Sequence, residues 1–183
     1  LLGTIDGTFT KLGDFEVGTG PTAIATLQIN DDNQDGKIDE FDLIDLAVAN
    51  FDSNNISILR GKENGTFTPD SVLRVGTGPF SIAVADMNDD GLPDIISTNV
   101  LSNNASILFS IENSKFAPAS FYAAGIGPSA SSAEDIDHDG DLDLIVANTG
   151  SSSISVLRNS GDGTFENIET HGVGRFPVSL PYS

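Results

Sequence analysis

The segment that decides the fold reads Asp-Ile-Asp-His-Asp-Gly-Asp-Leu-Asp at residues 135–143 and continues directly as Leu-Ile-Val-Ala-Asn at residues 144–148. It joins an acidic, glycine-containing loop to a short apolar run. Similar combinations occur at residues 86–99 and again at residues 31–50. Self-similarity along a chain is typical of repeat architectures. We therefore interpret the chain as a series of repeats.

Three sets of residues mark the repeat. Prolines that end a Gly-x-Gly-Pro motif, the last of them degenerate, and phenylalanines of a Gly-Thr-Phe-type segment are each spaced 58, 49 and 49 residues apart. Aspartates that begin the apolar runs are spaced 49 residues apart throughout. The repeat is therefore 49 residues long, and its first copy carries nine extra residues before Asp45. The three sets are Pro21, Pro79, Pro128 and Pro177; Phe9, Phe67, Phe116 and Phe165; and Asp45, Asp94 and Asp143.

Each repeat contains four short segments with the pattern of β-strands, and the last segment is the most polar. Four antiparallel strands in about 40–50 residues are typical of a β-propeller blade. We predict an all-β fold of propeller blades, with three complete blades and partial blades at both ends; an unclosed β-solenoid is the alternative. Residues 1–21 would end a preceding blade, 22–78 form a blade with the insertion, 79–127 and 128–176 form two further blades, and 177–183 begin the next. The outermost strands of the first two complete blades are predicted at residues 67–75 and 116–124.

Composition narrows the functional classes. The 183 residues include 27 acidic and 8 basic side chains, which gives a formal net charge of −19. This charge argues against binding to nucleic acid or to an anionic membrane surface, since both require a basic face. No apolar run approaches the roughly 20 residues of a membrane span, and the absence of cysteine excludes disulfides, thiolate metal sites and thiol nucleophiles. Of the 27 acidic residues, 17 lie in residues 31–45, 86–94 and 134–143, so the charge is concentrated in three loops.

All three acidic loops fit the pattern Asp-x-Asp/Asn-x-Asp-Gly-x-x-Asp. Side-chain oxygens at positions 1, 3, 5 and 9, with a backbone carbonyl at position 7, can surround one hard cation, and glycine at position 6 permits the sharp turn. Ca²⁺ is favoured over Mg²⁺ because the protein supplies many oxygens. Metals that prefer sulfur or imidazole are disfavoured, since the nearby His138 lies at an outward position. The pattern predicts about three bound calcium ions; solvated Asp-Gly turns are the alternative.

The first acidic loop has a second interpretation. Residues 31–42 have the length of an EF-hand loop, with a helix beginning near Phe41, so an EF-hand or dockerin unit is an alternative. The segment before Asp31 has a strand pattern, however, which favours a blade loop with an insertion. Asp45 would then begin a strand, Asp39 would complete the metal site, and residues 41–44 would form a bulge or a single helical turn.

The repeat resembles the FG-GAP repeats of integrin α-subunit propellers and the related VCBS-type repeats of bacterial extracellular proteins. The resemblance covers nearly the whole chain and rests most specifically on the acidic loops. It implies a β-propeller with one calcium ion in each blade that carries the motif, and a role in adhesion or ligand binding outside the cell or at the cell surface. The implied ligands are Asp31, Asn33, Asp35, the Lys37 carbonyl and Asp39; Asp86, Asn88, Asp90, the Leu92 carbonyl and Asp94; and Asp135, Asp137, Asp139, the Asp141 carbonyl and Asp143.

We therefore expect a calcium-binding propeller segment that serves as an extracellular adhesion or ligand-binding module and is not an enzyme. Its ligand would be a protein or a carbohydrate, without nucleic-acid binding or membrane insertion. One alternative is an accessory propeller domain of a larger secreted enzyme. Another is a structural segment that completes a propeller by self-association through open blade edges. For this chain by itself we expect an open arc, self-association or a four-bladed closure.

Overall fold

A computed structural model of the chain describes residues 2–3, 6–39, 41–111, 115–174 and 177. In this part of the chain all regular structure is β, and there is no helix long and apolar enough to cross a membrane. The strands are β1 (Leu2–Gly3), β2 (Phe9–Thr10), β3 (Pro21–Leu27), β4 (Asp45–Asn50), β5 (Asn55–Gly61), β6 (Phe67–Arg74), β7 (Pro79–Ala85), β8 (Asp94–Asn99), β9 (Asn104–Leu108), β10 (Ser110–Ile111), β11 (Lys115–Phe116), β12 (Ser120–Ala123), β13 (Pro128–Glu134), β14 (Asp143–Asn148), β15 (Ser153–Asn159) and β16 (Phe165–Gly172).

Twelve of these strands form three four-stranded antiparallel sheets. The first blade has the strand order β3-β4-β5-β6, the second β7-β8-β9-β12 and the third β13-β14-β15-β16. Two small hairpins, β1-β2 and β10-β11, complete the described structure. The predicted fold class, all-β with four-stranded propeller blades, is confirmed.

The first strands of the blades lie side by side, with β7 in contact with both β3 and β13. They form the inner edge of the assembly and line a cavity of about 590 Å³. The last strand of each blade lies at the outer edge, and all eight residues of β6 are partly or fully exposed, as its polar sequence predicted. The three sheets form an open arc rather than a closed ring in the part of the chain that the structure describes.

Adjacent blades pack through two apolar clusters. The first includes Ile58 and Ile95 and joins the first and second blades, whereas the second includes Ile96 and Leu144 and joins the second and third. Ile95 and Ile96 are consecutive residues of β8, and both are fully buried because successive side chains of a strand point to opposite faces. This arrangement explains why apolar residues are consecutive in the second strands. It also means that each blade depends on its neighbour for its core.

A polar network is repeated at the start of each blade. In the second blade the side chain of Asn99 donates to Ser106 Oγ at 2.8 Å, and the backbone N–H of Gly76 donates to the same oxygen at 3.1 Å. These bonds hold the incoming Gly-x-Gly-Pro segment against the second and third strands. The corresponding residues are Asn50, Ser57 and Gly18 in the first blade and Asn148, Ser155 and Gly125 in the third.

Gly76→Ala should destabilise the protein by about 2 kcal/mol because an added methyl group has no room. A Cβ at this position would lie 2.5 Å from Asn104 Oδ1, 2.6 Å from Ser102 Oγ and 2.7 Å from Asn99 Cγ. Gly172→Ala is the matched control, since a Cβ there has no neighbour within 4 Å among the described residues. Urea denaturation of the two variants compares their stabilities directly. Equal stabilities would show that the Gly-x-Gly-Pro segment does not need a glycine at position 76.

The structure differs from the sequence prediction in the second blade. Residues 116–124 were predicted to form one outer strand, but β11 ends at Phe116 and β12 begins at Ser120. Pro118 lies between them and has no N–H to donate to a ladder. The last predicted unit, residues 177–183, lies outside the described residues except for Pro177.

Candidate metal-binding loops

The three acidic loops each connect the first strand of a blade to its second strand. In every loop the fourth position is a non-glycine residue with positive φ, and the sixth is a glycine with positive φ. Three different sequences therefore share a left-handed backbone conformation at positions 4 and 6. The residues are Gln34, Asp89 and His138 at position 4 (φ 61°, 54° and 63°) and Gly36, Gly91 and Gly140 at position 6 (φ 88°, 82° and 104°).

The aspartate at position 1 accepts hydrogen bonds from backbone N–H groups of its own loop. In the second loop Asp86 accepts from Asp90 at 3.2 Å and from Gly91 at 2.8 Å. The aspartate at position 5 also accepts from the residue at position 7, as Asp90 does from the N–H of Leu92 at 2.8 Å. These bonds fix the orientation of the carboxylates in each loop. The other pairs at position 1 are Asp31 with Asp35 and Gly36, and Asp135 with His138 and Gly140.

The third loop brings three carboxylates together. Oxygen atoms of Asp135, Asp137 and Asp139 all lie within 4.8 Å of one another. Two carboxylates about 5 Å apart repel by roughly 1–3 kcal/mol at effective dielectric constants of 80 to 20. A divalent cation would replace this repulsion with attraction, and oxygen atoms are the ligands that Ca²⁺ prefers.

In the second loop, position 3 is occupied by Asn88. Its Nδ2 donates to Asp90 Oδ2 at 3.0 Å, whereas its Oδ1 is buried and accepts no hydrogen bond from the described residues. A buried oxygen without a partner is costly, and a cation would satisfy it. This oxygen belongs to the atom set predicted to bind calcium, so the residues present fit the ion.

The aspartates that begin the second strands are the most buried carboxylates near the loops. Asp94 is 0% exposed and accepts hydrogen bonds from the N–H groups of Met87 at 2.9 Å and Ser110 at 2.7 Å. Burial, together with the charges of Asp90 and Asp86, raises the pKa of Asp94 to about 6, against the effect of the two hydrogen bonds. A cation in the loop would stabilise the ionised form of this carboxyl.

In the other two blades an arginine lies beside the corresponding aspartate. Arg158 Nη1 lies 2.9 Å from Asp143 Oδ2 and 3.2 Å from Asp137 Oδ2. Arg60 Nη1 lies 3.6 Å from Asp45 Oδ2. These guanidinium groups therefore offset part of the negative charge of their loops.

The first loop is closed by Asp42, the residue that the EF-hand alternative places at position 12 of the loop. This buried carboxylate accepts hydrogen bonds from the N–H groups of Asp32, Asn33 and Asp39, at 2.9, 3.3 and 2.9 Å, and the bond from Asp39 is the main reason that the pKa of Asp42 is lowered. The described residues on either side of the loop form no helix, which favours the blade loop over the EF-hand. Asp45 begins β4, as Asp94 begins β8 and Asp143 begins β14, which confirms this part of the prediction.

The remaining predicted ligands occupy the positions that the pattern requires. In each loop, position 7 supplies the backbone carbonyl that was predicted to bind calcium, and position 9 is an aspartate. In the second and third loops the position 9 aspartate is buried and already accepts backbone N–H groups. In the first loop Asp39 accepts from the N–H of Phe41 at 3.0 Å. The roles of Lys37, Leu92, Asp141, Asp39, Asp94 and Asp143 as calcium ligands stay predictions.

Solved propeller structures resemble this fold. A candidate 6-phosphogluconolactonase from Bacteroides fragilis is 18% identical with a TM-score of 0.65, over 90% of this chain and 43% of that chain. The periplasmic gluconolactonase PpgL of Pseudomonas aeruginosa is 15% identical with a TM-score of 0.59, over 87% and 41% of the two chains. The biofilm matrix protein Bap1 of V. cholerae is 22% identical with a TM-score of 0.48, over 80% and 30%. At these identities the likeness shows the fold alone, and the chain spans less than half the length of each of these structures.

Sequence comparison gives a more specific result. No curated protein sequence matches the chain significantly. The family model described as an FG-GAP-like repeat matches residues 42–97 and 135–180, which together make up more than half of the chain. The two matched regions contain strands of the first and second blades and of the third, and the second region begins at the first aspartate of the third acidic loop. On this evidence the chain belongs to the family of FG-GAP-like repeat proteins.

Proposed function

We propose that each of the three acidic loops binds one calcium ion and that the chain is a calcium-stabilised propeller segment. The observation that carries this proposal is the shared conformation of three loops with different sequences at equivalent places in three blades. The carboxylate cluster of the third loop and the unsatisfied oxygen of Asn88 in the second support it. The ion would supply positive charge to residues that are otherwise held close together.

The role of the ion in this proposal is structural. Each loop joins the innermost strand of a blade to the next strand, and the buried aspartate after the loop is the first residue of that strand. Fixing the loop therefore fixes the relative position of two strands that belong to the core between blades. We infer no catalytic role, because the two histidines are exposed and the acidic residues of the loops are assigned to the metal.

We further propose that this segment acts outside the cell in adhesion or in binding a protein or carbohydrate ligand. Membership in the FG-GAP-like family supports this role. The proposed calcium sites fit this role as well. Extracellular calcium modules have dissociation constants of roughly 10⁻⁴–10⁻³ M, which suits the millimolar calcium found outside cells. Binding of the chain to an array of immobilised proteins and glycans, measured with and without calcium, would test for such a ligand.

A second candidate function, propeller completion by association, has its own support. Ile24 and Val72 lie in one cross-strand row of the first blade and are 63% and 64% exposed. The opposite face of this sheet packs on the second blade. Sedimentation velocity of the chain and of an Ile24→Ser/Val72→Ser variant tests this candidate: it predicts an oligomer that the two substitutions dissociate, whereas a monomer at all concentrations contradicts it.

Asp90→Asn should weaken calcium binding in the second loop by at least about a hundredfold, because it removes a proposed ligand charge. Asp89→Asn is the matched control: it removes the same charge from the adjacent, exposed position of the same loop and should change affinity by less than about threefold. The amide resonance of Gly91 during a calcium titration reports on this loop specifically. Equal effects of the two substitutions would show that the loop attracts calcium only through its net charge.

A further inference from the structure

We infer that Asn159 couples calcium binding in the second loop to calcium binding in the third. This inference rests on the proposed function and adds a positioning residue to it. Asn159 is the last residue of β15 and is buried. Its side chain connects the acidic loops of two different blades.

The contacts of Asn159 reach both loops. Its Nδ2 donates to the carbonyl of Met87, the second residue of the second loop, at 2.8 Å, and to the carbonyl of Leu142, the eighth residue of the third loop, at 2.9 Å. Its Oδ1 accepts from the N–H of Gly161 at 3.2 Å. Because the amide oxygen is used by this bond, both Nδ2 hydrogens are directed at the two carbonyls.

These contacts extend to the buried carboxylates of the two loops. The N–H of Met87 donates to Asp94 Oδ2 at 2.9 Å, and the N–H of Asn159 donates to Asp143 Oδ1 at 2.9 Å. A continuous series of hydrogen bonds therefore runs from Asp94 through Met87 and Asn159 to Asp143. Both ends of this series are predicted calcium ligands at position 9.

The side-chain bridge that Asn159 makes is not repeated between the first and second loops in the described part of the chain. The positions that correspond to Asn159 are Ser110 in the second blade and Gly61 in the first. Ser110 Oγ donates to the carbonyl of Pro93 in the loop of its own blade, and Gly61 has no side chain. The chain thus contains its own comparison, with one pair of adjacent loops bridged by an amide and one pair joined without it.

The expected coupling is positive. An ion in one loop fixes the peptide that Asn159 contacts, and the fixed amide then holds the neighbouring loop, so the second ion has less disorder to remove. Direct repulsion between two divalent ions has the opposite sign. We expect that loss of the ion from one loop weakens binding in the other by about fivefold, the lower end of typical coupling between sites. By linkage, the factor must be the same in both directions.

The test is a calcium titration of the full chain followed by the amide resonances of Gly36, Gly91 and Gly140, one in each loop. Asp90→Asn is used to remove the second site and Asp139→Asn the third. We expect Asp90→Asn to weaken binding at Gly140, and Asp139→Asn to weaken binding at Gly91, by the same factor of about five. Asp35→Asn in the first loop should leave binding at Gly91 within about twofold.

Asn159→Ser gives the second half of the test. It places at this position the residue found at the corresponding position of the second blade, keeps the backbone N–H to Asp143, and should abolish the coupling while both sites still bind. If the unsubstituted chain binds calcium at Gly91 and Gly140 but Asp90→Asn does not weaken binding at Gly140, or weakens it as much in the Asn159→Ser chain as in the unsubstituted chain, the coupling is refuted and the calcium sites stand. If none of the three glycine amides responds to calcium, the proposed function is refuted and the coupling with it.

Discussion

Removal of calcium should lower the melting temperature of this protein by about 10–20 °C. The reason is linkage: an ion that binds only the folded chain adds RT ln(1 + [Ca²⁺]/Kd) to the free energy of unfolding. At about 2 mM calcium and a dissociation constant near 0.1 mM, each site contributes about 1.8 kcal/mol, and three sites contribute about 5 kcal/mol. This is comparable to the whole stability of a typical domain.

The measurement is a thermal melt followed by circular dichroism in 2 mM calcium and in excess chelator. Asp35→Asn should lose about a third of the calcium-dependent shift, and Asp90→Asn and Asp139→Asn should each lose more than a third, because loss of either ion also weakens binding at the coupled site. Magnesium at the same concentration serves as the control for general screening of the net charge of −19. Equal melting temperatures with calcium and with chelator, in a sample shown to contain no metal, would leave the loops as solvated turns.

Leu144→Ala should destabilise the protein by about 3 kcal/mol, the second largest effect that we expect. Leu144 is 0% exposed and lies in the cluster that joins the second and third blades, where it packs among residues of both. Truncation would remove apolar contacts and leave a cavity between blades. Leu101→Ala is the same chemical change at a residue that is 60% exposed, and it should cost less than about 1 kcal/mol.

Guanidinium denaturation of both variants, in saturating calcium, separates this effect from metal binding. A loss of stability confined to the buried position supports a core shared between neighbouring blades. Similar values for Leu144→Ala and Leu101→Ala would contradict it, since they would mean that the blades fold without packing on each other.

The sequence predicted the blades because each repeated marker has a local physical role. Asp94 begins a strand, Pro79 begins the innermost strand of a blade, and the apolar residues of β8 alternate between two buried interfaces. These constraints recur in each repeat. The repeated markers, together with four strand-like segments in each repeat, therefore predicted the order of the strands in a blade. The break at Pro118 was not predicted because a proline does not always end a strand. Pro69 lies within β6, which continues through it as one strand with a register shift.

The acidic loops were predictable as a class, but their connections were not. The pattern of aspartates and glycine follows from the chemistry of a hard cation, and the structure confirms a common loop conformation. The role of Asp42 in closing a blade loop was not predicted, because its three hydrogen bonds depend on how the insertion folds. Asn159 was missed because its two carbonyl partners lie 17 and 72 residues away in the chain. Contacts of this kind depend on the packing of one blade against the next.

The central claim is that the three acidic loops are calcium sites, and counting bound calcium tests it most directly. The chain is dialysed to equilibrium against 2 mM calcium, and the ions bound per chain are measured by elemental analysis against the dialysis buffer. The account predicts about three ions per chain, and about one fewer for each of Asp35→Asn, Asp90→Asn and Asp139→Asn. A chain that binds no calcium above the buffer, or whose bound calcium is unchanged in all three variants, would contradict it.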